Sequence, residues 1–69
     1  MQGEIGIKKA VELFDGKDKI LIVLWDDDRL QVCTRYSCDV SERPVKEEVF
    51  YIAEAFYVNI GKYKVRRLI

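Results

Sequence analysis

Residues 20–25, Ile20-Leu21-Ile22-Val23-Leu24-Trp25, form the longest unbroken apolar run in the chain and decide the fold. Six residues are too few for a typical helix, and the run is rich in side chains that favour strands. Because every position is apolar, rather than every second one, the run predicts a strand that is covered on both faces. We therefore expect it to be the central strand of a sheet.

The segments that flank this run predict a helix before it and a second strand after it. Apolar residues recur at helical spacing in residues 7–14, and Asp15-Gly16 is typical of a helix end. The residues of this stripe are Ile7, Ala10, Val11 and Phe14. Residues 26–28 predict a turn, and residues 29–36 alternate between polar and apolar, which indicates a hairpin strand with one face in water.

The C-terminal half predicts a second helix and a third strand. Ser37 to Arg43 is polar and indicates a linker, and Pro44 suits the first turn of a helix. The expected inner stripe of the helix is Val45, Val49, Ile52, Ala53, Phe56 and Ile60. Gly61 indicates the C-terminal cap of this helix, and residues 62–66 alternate between basic and apolar as in a strand.

These elements predict one α+β domain that spans residues 1–69, because a chain of 69 residues is too short for two cores. We expect a small antiparallel sheet of two to three strands packed with two helices, in the order α-β-β-α-β. A core of this size supplies only about 3–5 kcal/mol of net stability. Many natural chains of this length are therefore stabilised further by disulfides, a metal ion or a partner subunit.

Composition and charge argue against an enzyme. The chain has no histidine, the side chain most used for proton transfer near neutral pH. It also lacks a glycine-rich phosphate loop and the usual catalytic motifs, so we expect a non-catalytic protein without a cofactor. Twelve basic and twelve acidic residues cancel, but residues 55–69 hold four basic residues and no acidic one.

The two cysteines, Cys33 and Cys38, are too few for a disulfide framework. Their spacing suits half of a zinc site, but the other half is missing. We interpret them as reduced thiols and expect a cytoplasmic protein. No run approaches the roughly 20 apolar residues that a membrane helix needs.

Asp26, Asp27 and Asp28 form the sharpest local concentration of charge. Three carboxylates could hold a hard cation, but the spread of ligands found in a calcium loop is missing. A solvated hairpin tip is the simpler interpretation. A third is an acidic contact for a partner, with Trp25 beside the turn as its aromatic anchor.

The basic C-terminal segment permits a nucleic-acid interpretation. Cations that track phosphates and an aromatic ring that stacks on a base are the elements of single-strand binding. The residues are Lys62, Tyr63, Lys64, Arg66 and Arg67. An edge strand protected by lysine and arginine is the structural alternative.

The second helix is apolar around most of its circumference, which normally requires burial on two sides. Phe50, Tyr51, Ala55, Tyr57 and Val58 lie outside the expected inner stripe. In one interpretation, the sheet and the first helix cover this helix from both sides, or its tyrosines reach water with their hydroxyl groups. In the other, the side of the helix away from the core is exposed and docks a partner. We expect Tyr51, Tyr57 and Val58 to contact a protein partner or a second copy of the chain.

Residues 20–56 resemble many small accessory proteins of bacteriophages and prophages. The shared features are a hydrophobic strand, the acidic turn Trp25-Asp26-Asp27-Asp28, a second strand over residues 29–36 and an aromatic-rich helix over residues 47–57. The resemblance implies a protein that binds a host or phage macromolecule and that, if a phage encodes it, works in the host cytoplasm. Some such proteins inhibit host defence systems, including CRISPR effectors.

Overall fold

A computed structural model of the chain describes residues 6–69. They form five strands and one helix, and the elements are β1 Ile7–Phe14, β2 Lys19–Trp25, β3 Leu30–Cys33, β4 Cys38–Val40, α1 Glu47–Gly61 and β5 Lys64–Arg67. The strands make one sheet in the order β4-β3-β2-β1-β5, with every neighbouring pair antiparallel. The run of residues 20–25 is therefore in the central strand, as expected. The predicted order α-β-β-α-β, with two helices and two to three strands, is wrong.

The predicted helix over residues 7–14 is strand β1. Its apolar residues also fit the two-residue period of a strand. Val11 and Leu13 lie on either side of Glu12 in the sequence, and the side chains of Val11 and Leu13 are fully buried. Asp15-Gly16 is a hairpin turn rather than a helix end. The Asp15 carboxylate accepts hydrogen bonds from the backbone N–H of Lys17 and Asp18, and the Asp15 N–H donates to the Asp18 carbonyl.

Gly16 adopts a φ of 96°, a backbone conformation that a side chain disfavours. We expect Gly16→Ala to lower the free energy of unfolding by about 1–2 kcal/mol. Steric contact is not the cause, since a Cβ atom here would meet nothing within 4 Å. Urea unfolding of both proteins measures the effect, and an unchanged midpoint would contradict it.

Helix α1 packs on one face of the sheet, against β1 and β2. Six fully or almost fully buried residues form this core, namely Val11, Leu13, Ile20, Ile22, Leu24 and Phe50. Within residues 6–69 no second helix covers the other face. The expectation that residues 20–25 are covered on both faces is nevertheless confirmed, because Val23, which alternates onto that other face, is only 4% exposed, and Leu21 and Trp25 are partly buried.

The polar segment over residues 37–43 is not only a linker, because it contains β4. Thr34 and Ser37 close the turn between β3 and β4 through a 2.7 Å backbone hydrogen bond. This turn places Cys33 opposite Cys38 in the register of the two strands, and a disulfide joins them. The interpretation of the two cysteines as reduced thiols is therefore wrong.

Helix α1 begins after Lys46, which has an extended conformation, and it carries Glu47 and Glu48 in its first turn. Both carboxylates lie near the positive end of the helix dipole. The helix ends one residue later than the glycine predicts: Gly61 is still helical, and Lys62 adopts the left-handed conformation with a φ of 60°. β5 then returns along the outer edge of β1.

Candidate functional site

The face of α1 that contacts the sheet is centred on Phe50 and Glu54. Phe50 is fully buried and Glu54 is 9% exposed. Ala53, Tyr57 and Val58 are partly buried and pack on the same core. The helix is thus rotated relative to the predicted inner stripe. Of that stripe, Ala53 and, before the helix, Val45 pack against the core, and Val49 is partly buried.

Three residues that were expected to face the core are instead the most exposed apolar side chains of α1. Ile52 is 62% exposed, Phe56 is 56% exposed and Ile60 is 70% exposed. Spaced by four residues, they lie along one line of the helix surface. We call these three residues the outer stripe. Their exposure makes the outer stripe the best candidate for a docking surface.

The aromatic residues predicted to dock a partner lie to one side of the outer stripe or beneath the helix. Tyr51 is 44% exposed, and its ring centroid lies 5.2 Å from Lys9 Nζ. Hydrogen bonds with Tyr51 and Glu47 raise the pKa of Lys9. Tyr57 packs edge-on against Tyr63, with the ring centroids 6.3 Å apart. Tyr57 and Val58 therefore contribute mainly to the packing of the helix on the sheet.

Glu54 is held at the sheet by Arg67. Two nearly parallel hydrogen bonds, of 3.1 and 2.9 Å, join the Arg67 guanidinium to the Glu54 carboxylate. This two-pronged geometry is the strongest arrangement for such a pair, and it supplies the partner that a nearly buried carboxylate needs. The pair fixes the side of α1 that faces β5.

The acidic turn is partly neutralised by neighbouring cations. Asp28 forms an ion pair with Lys8, and this hydrogen bond raises the pKa of Lys8. The Asp27 carboxylate accepts a 3.1 Å hydrogen bond from the backbone N–H of Arg29 and lies 3.6 Å from Arg29 Nε. Within residues 6–69 no group of three or more potential ligands is placed to hold a metal ion.

Trp25 and Asp26 flank the same end of the sheet. The indole N–H of Trp25 donates a 2.9 Å hydrogen bond to Gln31 Oε1, and the indole is only partly buried. The backbone N–H of Asp26 donates to the Gly6 carbonyl at 2.9 Å. The turn is not part of the outer stripe. Its backbone closes the hairpin between β2 and β3, since the Trp25 N–H donates to the Arg29 carbonyl and the Asp28 N–H donates to the Trp25 carbonyl.

The basic C-terminal segment is divided between paired and unpaired cations. Arg67 is bound to Glu54, and Arg66 donates hydrogen bonds of 3.1 and 2.5 Å to Glu12 Oε1. Burial raises the pKa of Tyr63, whose ring is packed against Tyr57. Lys62 and Lys64 are exposed and form no ion pair with another residue in the part of the chain that the structure describes.

Glu12 gives the sheet a testable pH dependence. Its pKa lies below the ordinary value of 4.5, because Arg66 donates hydrogen bonds to the carboxylate and Lys19 adds a nearby positive charge. A carboxylate with a lowered folded-state pKa stabilises the fold above the ordinary pKa, and this contribution is lost as the pH falls. We expect Glu12→Gln to lose less stability than the parent protein between neutral and acidic pH in urea unfolding. Parallel pH profiles of the two proteins would contradict this expectation.

Comparisons of the chain with protein-family models, with curated proteins and with solved structures found no match. In the range 6–69, no helix has the length and apolar character needed to cross a bilayer.

The sequence did not predict the outer stripe as a candidate site. Its three residues have the spacing of a core-facing stripe, and so do the residues that are buried. The pairing of Glu54 with Arg67 distinguishes the buried face of α1 from the exposed one. The sequence alone does not reveal this pairing. Arg67 reaches that position through β5, which pairs with β1 about fifty residues earlier in the chain, Val11 opposite Arg67.

Proposed function

We propose that this chain is a non-catalytic protein-interaction module that docks a partner through the outer face of α1. The observation that carries the proposal is the outer stripe: three large apolar side chains, each more than half exposed, lie in one line on a single helix. Apolar surface gathered in this way is typical of protein contacts, since covering it with water is unfavourable.

The resemblance to phage accessory proteins supports one form of this function, in which the docked partner belongs to a host macromolecular complex such as a defence system. The module would then act as a modulator or inhibitor that covers a surface of that complex. The acidic turn would contribute orientation and steering rather than the main contact, since Asp27 and Asp28 are already paired within the chain.

The proposal includes a cytoplasmic location, in the host cytoplasm if a phage encodes the chain, because the proposed partner complex lies there. The Cys33–Cys38 disulfide would be open to reduction in that compartment, since disulfides are rare in a reducing cytosol.

Nucleic-acid binding is the alternative function, and Lys62 and Lys64 are the residues that favour it. They are exposed and are not paired with an acidic residue within residues 6–69. Pairing of Arg66 and Arg67 with glutamates weakens this alternative, because few cations remain to release counterions from phosphates. Anisotropy titrations with a labelled single-stranded oligonucleotide at low salt test this alternative. It predicts that the parent protein binds the oligonucleotide and that a Lys62→Ala, Lys64→Ala variant does not.

Affinity purification from the native cell tests the docking function. Three tagged proteins are compared: the parent, an Ile52→Glu, Phe56→Glu variant, and a Tyr36→Glu control. Tyr36 is 85% exposed at the β3–β4 turn, so its substitution also replaces an exposed aromatic ring by a charge but leaves α1 intact. We expect a partner that is retained by the parent and the control and lost by the α1 variant. Equal recovery by all three would overturn the proposal.

A further inference from the structure

The Cys33–Cys38 disulfide lies on the face of the sheet that α1 does not cover. Val32, the neighbour of Cys33 in β3, packs on the core beneath the helix, so Cys33 alternates onto the opposite face. The strand register places Glu12, Leu21, Cys33 and Cys38 in one row across β1, β2, β3 and β4. Cys38 is exposed at the outer edge of this row, whereas Cys33 is partly buried. The two halves of the disulfide therefore have different surroundings.

A cavity of about 480 Å³ lies beside Cys33. Its walls come from β1, β2, the turn before β2 and the turn after β3, and they include Cys33 and Leu21 but not Cys38. Because β2 and β4 lie on opposite sides of β3, this lining places the cavity on the side of Cys33 away from Cys38. Its volume falls in the range of about 300–1,000 Å³ that is usual for small-molecule sites. We call this cavity the disulfide pocket.

The disulfide pocket has an excess of positive charge. Lys17, Lys19 and Arg35 line it, together with Glu12 and Asp18. Arg35 Nε lies 3.0 Å from Asp18 Oδ1, so the charges of this pair cancel. Lys19 Nζ is 3.8 Å from the Glu12 carboxylate, which also accepts two shorter hydrogen bonds from β5. Lys17 is exposed and pairs with no acidic residue in the described part of the chain. Two ammonium groups are therefore available to a ligand that carries carboxylates.

We propose that the disulfide pocket binds a small acidic thiol of the glutathione type, which exchanges with the Cys33–Cys38 disulfide and becomes linked to Cys33. Such a thiol carries two carboxylates, which match the ammonium groups of Lys17 and Lys19. Glutathione is also one of the thiols that keep cysteines reduced in the cytosol. This inference goes beyond the proposed docking function and does not depend on it.

The exchange is balanced and needs no oxidant or reductant other than the thiol itself. The bound thiol loses its proton to water, and its thiolate attacks Cys33 Sγ from the side opposite the leaving sulfur. The bond between the two Sγ atoms breaks, and Cys38 leaves with the electron pair as a thiolate, which takes up a proton from water. The product is a mixed disulfide between Cys33 and the ligand, with Cys38 as a free cysteine. The side-chain amide of Gln31 donates a 3.4 Å hydrogen bond to Cys33 Sγ and orients this sulfur.

Peptide mapping tests the position of the exchange. The oxidised protein is mixed with glutathione, and free thiols are blocked with N-ethylmaleimide at early times, before full reduction. Trypsin cleaves after Arg35 and so separates the two cysteines for mass spectrometry. We expect glutathione on Cys33 and N-ethylmaleimide on Cys38. Attack from bulk water without binding favours the exposed Cys38 and gives the reverse pattern, which would overturn the proposal, as would the absence of any mixed disulfide.

Exchange rates test the charge match. For Lys17→Gln, Lys19→Gln we expect the second-order rate constant with glutathione to fall about tenfold at low ionic strength. The rate constant with 2-mercaptoethanol, a neutral thiol, is expected to stay unchanged. Arg43→Gln, Lys46→Gln is the matched control, since it removes the same charge from exposed positions near the β2–β3 turn, and it should leave both rate constants unchanged. Circular dichroism verifies that each variant is folded.

The outcomes separate this inference from the proposed function. Equal losses with both thiols, or equal losses in the matched control, would show that the pocket does not recognise the carboxylates and would overturn the proposal. The Ile52→Glu, Phe56→Glu variant is expected to exchange with glutathione at the rate of the parent, because the outer stripe is on the other side of the molecule from the disulfide. Loss of the cellular partner in that variant, without a change in exchange, leaves each proposal standing on its own result.

Discussion

Phe50→Ala is expected to unfold most of the protein at room temperature. Phe50 is the largest side chain that is fully buried, and it is the only member of the buried core cluster, within the described chain, that α1 contributes. Its truncation removes apolar contacts and leaves a cavity between the helix and the sheet, at a cost of about 3–5 kcal/mol. Since a core of this size supplies about 3–5 kcal/mol of net stability, the loss is comparable to the whole.

Far-ultraviolet circular dichroism and thermal unfolding measure this effect. Phe56→Ala is the matched control, because it removes the same ring from the exposed side of the same helix. We expect the control to keep a cooperative transition when measured at a concentration where the protein is monomeric. Equal destabilisation by the two substitutions would mean that α1 is rotated differently from the structure.

Reduction of the Cys33–Cys38 disulfide is expected to lower the free energy of unfolding by about 2 kcal/mol. The bridge closes a short loop, with five positions of separation, and it fastens the edge strand β4 to β3. In the chain-entropy account, a cross-link stabilises by restricting the unfolded chain, and a loop this short gives an effect of about 2 kcal/mol.

Urea unfolding with and without dithiothreitol measures the contribution of the disulfide. The Cys33→Ser, Cys38→Ser variant is the control: it should be as unstable as the reduced parent and should not respond to dithiothreitol. A parent protein whose unfolding midpoint does not change on reduction would contradict the expectation. Free-thiol titration under denaturing conditions establishes which redox state each sample contains.

The central strand and the main helix could be predicted from the sequence, because the residue pattern of each segment fits only one type of secondary structure. Residues 20–25 are apolar at every position and too few for a helix. Residues 47–61 are long, follow a proline and begin with two glutamates. Neither signal depends on where the rest of the chain lies, so local reasoning was sufficient.

Residues 7–14 were mispredicted because their pattern fits both periods. Apolar residues occur there at helical offsets and also at Val11 and Leu13, which alternate as in a strand. Asp15-Gly16 does not resolve the ambiguity, since the same pair can end a helix or turn a hairpin. Pairing with β2 and β5 decides the outcome, and that is a tertiary effect.

The rotation of α1 and the state of the cysteines have the same explanation. A helix that is apolar around most of its surface has no unique inner face, and the burial of Phe50 and the pairing of Glu54 with Arg67 select one. Cys33 and Cys38 meet only because the turn between them sets the strand register. In both cases the deciding contact comes from an element that sequence periodicity does not position.

The accessibility of the isoleucine methyl groups to a soluble nitroxide, measured by nuclear magnetic resonance, tests the central claim most directly, because it reports on the outer face of α1 residue by residue. The account predicts that the nitroxide strongly broadens the methyl signals of Ile52 and Ile60, while those of the buried Ile20 and Ile22 stay sharp. Methyl signals of Ile52 and Ile60 that are as well protected as those of Ile20 and Ile22 would contradict it.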